Sequence, residues 1–318
     1  LRTYGKHQVA GYVEKYLGNF WRRIVTIVLV LTISGSLLAY FVGVGEVLAD
    51  VFGGSQMVWG LGFYILASAL LFYGLQIIKR AEFLLTIFIF LIVLLIALLS
   101  LDHLEFANIL SEFKWGNILI PYGVILFACS GIVAVPEVRE ILFRREKYFK
   151  KAIFWGAFIP SLVYFLFALV VVSVTGSNTT EVATIGLGHA IGQRVLVAGN
   201  LFAFFTMATS FLTMGLALKN TYARDIKIKH IWSWVLTIIL PLIIYFLGLN
   251  DFIKIIGIAG ALGFGVNGVI YIAAYWVARK KGKRTPEYSL PVAFTLPTSV
   301  ILIFAFVVGM IYTFVTSF

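Results

Sequence analysis

Asn117-Ile-Leu-Ile-Pro-Tyr-Gly-Val-Ile-Leu-Phe-Ala-Cys-Ser-Gly-Ile-Val-Ala-Val-Pro-Glu-Val-Arg-Glu-Ile-Leu142 is long and apolar enough to cross a bilayer, yet it carries helix breakers at its centre. Between Phe127 and Pro136 lie Ser130 and Gly131, and the proline itself lacks an N–H and crowds the preceding turn. Non-helical backbone at membrane depth survives only where protein or a wet cavity satisfies it, so a break at this position predicts a binding site. Freed amides, and the positive end of a half-helix starting near Pro136, suit a carboxylate; freed carbonyls suit a cation.

Working outward, the composition sets the solvent. Hydrophobic residues make up 61% of the 318, charged residues 12%, and the mean hydropathy is +1.00, which describes a polytopic membrane protein rather than a soluble domain. Hydropathy predicts nine spans: 24–49, 57–78, 83–101, 117–142 (broken), 152–175, 195–218, 231–250, 255–278 and 290–318. Connections are mostly short, so residues 1–318 are expected to form a single transmembrane domain.

A net charge of +11 would suit nucleic acid if it were clustered. Instead the basic residues alternate. They gather before the first span and at every second connection, as at Arg22 and Arg23, Arg144 to Lys151, Lys219 to Lys229, and Arg279 to Arg284; Lys79 and Arg80 mark the connection between the second and third spans. All but Lys114, Arg194 and Lys254 of the 25 Lys and Arg fall on this side, while Asp50, Asp102, Glu105, Glu112, Glu181 and Asp251 lie on the other. The pattern predicts a cell-membrane protein with a cytoplasmic N-terminus and an external C-terminus, its basic ends facing anionic membrane lipid and not nucleic acid. Cys129 is alone, and His7, His103, His189 and His230 show no ligand spacing, so neither a disulfide nor a metal site is expected.

Several stretches resemble a known family. The opening Leu1-Arg-Thr-Tyr-Gly-Lys-His-Gln-Val-Ala-Gly-Tyr-Val-Glu-Lys-Tyr-Leu-Gly18 resembles the cytoplasmic loop after the second helix in prokaryotic members of the amino acid/auxin permease branch of the amino acid, polyamine and organocation transporter superfamily. Phe127-Ala-Cys-Ser-Gly-Ile-Val-Ala-Val-Pro-Glu-Val138 is similar to that family's broken sixth helix, and Ala208-Thr-Ser-Phe-Leu-Thr-Met-Gly-Leu216 to its eighth, which also resembles the related aromatic amino acid permeases. The resemblance implies an all-α, five-plus-five inverted-repeat fold in which the chain supplies helices three to eleven, with the first two helices missing. It further implies a secondary active amino acid transporter working by alternating access, needing no cofactor beyond a coupling Na+ or H+, and not an enzyme.

Site residues follow. Phe127, Ala128, Cys129, Ser130, Gly131, Ile132 and Val133 are the expected substrate contacts at the break, with Tyr40, about mid-membrane in the first span, as a side-chain contact. Thr206, Ser210 and Thr213 fall at i, i+4 and i+7 on one helical face with Thr209 beside them. The resemblance assigns Thr209 and Ser210 to the place where sodium-coupled relatives hold an ion, with Thr206 on the same face; packing between helices, or bonds back to their own i−4 carbonyls, explains the same hydroxyls. Glu137, after Pro136, is either a first-turn cap or a gating carboxylate paired with Arg139. Glu46 reads as interfacial, and Asn267 and Tyr271, at i and i+4, either line the pathway or bond between helices. The alternatives to a carrier are an ion channel or passive pore, or a membrane fragment that does not transport; the substrate species and the oligomeric state are not written in the sequence.

Overall fold

The computed structural model describes residues 2–3, 7–73, 75–110, 115–143, 145–248, 251–286 and 288–317. Lipid offers the backbone no hydrogen-bond partners, so a chain this apolar must satisfy its amides within each segment. Among the described residues the result is helical throughout, without strands: α1 (Val9–Leu17), α2 (Asn19–Phe52), α3 (Gln56–Tyr73), α4 (Leu75–Leu99), α5 (Ala107–Leu110), α6 (Tyr122–Ala128), α7 (Val135–Ile141), α8 (Phe149–Thr175), α9 (Ala183–Ile191), α10 (Gln193–Asn220), α11 (His230–Phe246), α12 (Phe252–Ile258), α13 (Gly265–Lys281) and α14 (Val292–Ser317). Six stretches are long and apolar enough to cross a membrane by length and composition, and Thr86–Leu99, Tyr122–Ala134 and His230–Phe246 are shorter apolar helices. Every expected span therefore carries helix.

Boundaries differ from expectation in three places. No Gly or Pro interrupts 75–99, so α4 runs through Lys79 and Arg80, which lie on helical backbone and not in a connection. The opening stretch, expected as a loop, holds α1. Its Ala10 and Val13 are buried against Val25 and Leu29 of α2 and Ile270 and Ala274 of α13. Gly18 stops this helix at φ 94°, a left-handed backbone that a side chain resists, and its N–H donates to the Glu14 carbonyl at 2.9 Å. The third difference is in span 255–278. Between α12 and α13 the residues Ala259–Phe264 form a π-helical segment, an arrangement that widens the turn by one residue.

The core forms around α2, which packs on α1, α3, α10, α11 and α12. Its Leu37, Leu38, Phe41 and Val44 meet Phe63, Tyr64 and Leu71 of α3 and Phe211 and Leu218 of α10. Rings of Phe41, Tyr64, Phe211 and Tyr245 meet edge-on, with centroids 4.9 to 5.7 Å apart. The Tyr64 hydroxyl donates to the Ile238 carbonyl at 2.6 Å, so this aromatic centre leaves no polar atom of Tyr64 unpaired. By contrast α8 and α14 expose rows of large apolar side chains, among them Phe154, Phe158, Val300 and Phe304, as lipid-facing helices do.

Candidate binding site at the broken helix

The break opens where the sequence places it. After α6 the chain leaves helix at Cys129 to Gly131, makes a 3-10 turn over Ile132–Ala134, and re-enters α-helix at Val135. Pro136 is the second residue of α7, inside the first turn, where a missing N–H costs no helical bond. The Cys129 N–H still reaches Ile125 at 2.9 Å, Ser130 donates weakly to Phe127 at 3.3 Å, and Gly131 donates to Cys129 at 3.1 Å. The Ser130 hydroxyl donates to the Leu126 carbonyl. Next come Ile132 and Val133, whose N–H groups find no acceptor among the described residues, as expected for the opening of a short turn. A Cβ added at Gly131 would meet nothing within 4 Å, so the backbone there is open to a ligand.

It opens onto a cavity of about 320 Å³, within the size range of small-ligand sites. Tyr40 from α2, Ser130, Gly131 and Val133 from the break, and Thr209 and Ser210 from α10 all line it. Three segments 76 to 170 positions apart in sequence thus share one space. Tyr40 and Ser210 bring two hydroxyls to the same wall. Phe127, expected as a contact, is not among the described lining residues and packs on the core beside them: its ring lies 6.3 Å from that of Tyr40 and 6.1 Å from that of Phe264.

The hydroxyls of α10 bond back to their own helix. Thr209 donates to the Phe205 and Thr206 carbonyls at 3.0 Å, and Thr213 to the Thr209 carbonyl at 2.9 Å. At Thr209 the donated proton still leaves oxygen lone pairs that can accept, so back-bonding and acceptance from a cation or ammonium are compatible there. Among the described residues, none that lines the cavity is charged.

Other expected site residues fall elsewhere. Thr206 does not line the cavity; its hydroxyl donates to Phe202 and Ala203 at 2.9 and 3.0 Å. Ala128 and Cys129 are exposed but off the cavity, and Ile132, 37% exposed, borders a different one. Arg139 reaches away from the break, to the Tyr12 hydroxyl and, at 2.6 Å, the Thr3 carbonyl, with its guanidinium 5.7 Å from the Tyr12 ring centre. It ties α7 to the N-terminal segment. The Glu137 side chain lies outside the described residues, so its pairing with Arg139 is not described.

Thr86 and Met214 also line the cavity and were not singled out from sequence. Thr86 had a signal, being the one hydroxyl in the apolar run 75–99. Lys219 is a larger surprise. Charge alternation placed it in a connection, but it is 4% exposed in the last turn of α10, and its Nζ donates to the Leu71 carbonyl at 2.6 Å. That carbonyl lies in the last turn of α3, where the helix dipole favours a cation. At the opposite end of the bundle Asp50 accepts from Asn200 at 2.8 Å and lies 3.3 Å from His189, joining α2, α9 and α10. Among the described residues no cluster of His, Cys, Asp or Glu suits a metal ion.

Comparison with known proteins places the chain among transporters. The chain is 21% identical to glutamine transporter 2 of Aliivibrio fischeri, over 86% of this chain and 74% of that protein. It is 26% identical to tyrosine-specific transport system 1 of Haemophilus influenzae, over 86% of this chain and 73% of that protein. The profile of the tryptophan/tyrosine permease family matches residues 2–315. With a match along nearly its whole length, this multi-pass membrane chain belongs to the tryptophan/tyrosine permease family, and so to the amino acid, polyamine and organocation superfamily in the broad sense.

Proposed function

We propose that this permease is a secondary active transporter of a neutral amino acid, which it binds between the α6–α7 break and α10 and moves by alternating access. One observation carries the reading: the unpaired Val133 amide, beside that of Ile132, and a cluster of hydroxyls meet at one cavity with no charge among its described lining residues. The Ile132 and Val133 N–H groups beside Gly131 suit the substrate carboxylate, as the positive end of a broken helix does. Oxygens of Ser130, Thr209 and Ser210 suit the ammonium or a coupling Na+, with H+ the other coupling ion. Among the described lining residues a charged substrate side chain would find no opposite charge, which favours a neutral one. The relatives named for glutamine and tyrosine transport support an amino acid as the class.

In the same reading the nine spans take the places of helices three to eleven of an inverted repeat, supported by a break in the fourth span and by the motifs shared with the amino acid/auxin permease branch. Basic connections put the N-terminal segment in the cytoplasm and the end of α14 outside, in the cell membrane. Arg139, with Glu137, belongs to the inner gate.

Counterflow of labelled tyrosine and glutamine into proteoliposomes, with and without a sodium or proton gradient, tests this. Saturable exchange of at least one is expected. Unsaturated flux carrying ionic current would replace the carrier by a pore.

A further inference from the structure

The 3-10 turn Ile132–Ala134 is a wall between two spaces. Gly131 and Val133 face the central cavity, while Ile132, Pro136 and Arg139 border a second of about 470 Å³ on the side of α1 and α13. On the α13 side of this wall stands Tyr271, with Asn267 one helical turn before it. Asn267 is 0% exposed, and neither its amide nitrogen nor its amide oxygen has a hydrogen-bond partner among the described residues. The Tyr271 hydroxyl is likewise buried and unpartnered. Its ring packs, together with Val133, on the cluster of Val25, Leu29 and Ile270, and it also lines the second cavity.

Three unpaired polar atoms within one turn are unusual for a protein interior, where nearly all buried polar groups are bonded. Packing alone would favour leucine and phenylalanine at these positions. The π-helical segment just upstream adds a residue to the turn and so sets the rotation that carries both side chains inward. Buried polar groups with no protein partner hold ordered water where there is room, and Tyr271 borders such room. We propose that Asn267 and Tyr271 bind ordered water beside Val133, forming a polar seam that leads from the second cavity into the interior of the bundle. The seam stands on this geometry and not on the substrate.

Hydroxyl-radical footprinting of the purified protein in lipid nanodiscs, read by mass spectrometry, tests it with water itself as the probe. Tyr64, whose hydroxyl is bonded within the aromatic core, is the dry reference. Tyr271 is expected to be oxidised about tenfold faster than Tyr64, and Asn267→Leu, which removes the amide, to bring Tyr271 down to the Tyr64 rate. Asn267→Val serves if the leucine variant does not fold. Protection of Tyr271 equal to that of Tyr64 in the unaltered protein would overturn the seam, as would oxidation of Tyr271 that no apolar residue at 267 reduces.

Discussion

Two helices of this permease give up regular α geometry deep in the bundle, and they do so to opposite ends. At the α6–α7 break the chain opens: a Cβ on Gly131 would meet nothing within 4 Å, and the cavity begins there. At the π-helical segment between α12 and α13 it closes. A Cβ on Gly260 would overlap the Gly123 carbonyl of α6, and one on Gly263 the hydroxyl of Thr32 on α2. Glycine thus clears space for a ligand in one place and lets backbones touch in the other. The second makes the first possible, because close packing of α6 on the Gly257 to Gly263 stretch anchors the half-helix from which the break departs.

Thermal melting in detergent should separate the two glycines most widely. Gly260→Val is expected to cost about 3 kcal/mol or more, since backbone cannot move aside, whereas Gly131→Val should cost less than about 0.5 kcal/mol. Equal losses would erase the contrast. Next in size, Gly131→Leu should leave membrane insertion intact and weaken substrate binding about 100-fold, roughly 2.7 kcal/mol. Unchanged binding would take Gly131 out of the site.

The inner anchorage of the break is probed by Arg139→Gln. Losing the bonds to Tyr12 and Thr3 should destabilise α1 by about 2 kcal/mol, seen as faster backbone hydrogen exchange over Val9–Leu17. Exchange unaltered there would mean that α1 is held by its apolar face alone. Smaller again is Ser210→Ala, which removes a hydroxyl from the cavity wall and should raise the substrate half-saturation about fivefold, near 1 kcal/mol. Thr206→Val, one turn beyond the cavity, should stay within about twofold. If Thr206→Val proves the more damaging of the pair, the cavity does not mark the working face of α10.

How legible was all this? The break could be located because Ser130, Gly131 and Pro136 interrupt an apolar run, and hydrocarbon makes interruption expensive at that very segment. Thr209 and Ser210 were legible as a hydroxyl stripe, yet Thr206 on the same stripe is not in the cavity. Helical periodicity says which residues share a face and nothing about how far along it a neighbour stands off. Ile132 sits inside the correctly located break but faces the second cavity, because a 3-10 turn directs successive side chains to different sides. Lys219 was counted with the connections by its charge; only the end of α3 arriving beside it explains how it is buried.

Backbone desolvation acts segment by segment, so composition and order alone determined that the chain crosses the membrane repeatedly, and where one crossing must fail to be a regular helix. Which polar groups then share a space is a matter of convergence. Tyr40, Thr86, Gly131 and Ser210 come from four different segments, and Asn267 is left without a partner among the described residues only once α13 is packed. Those outcomes belong to the tertiary structure, because interactions between helices depend on distances and rotations that no single segment carries.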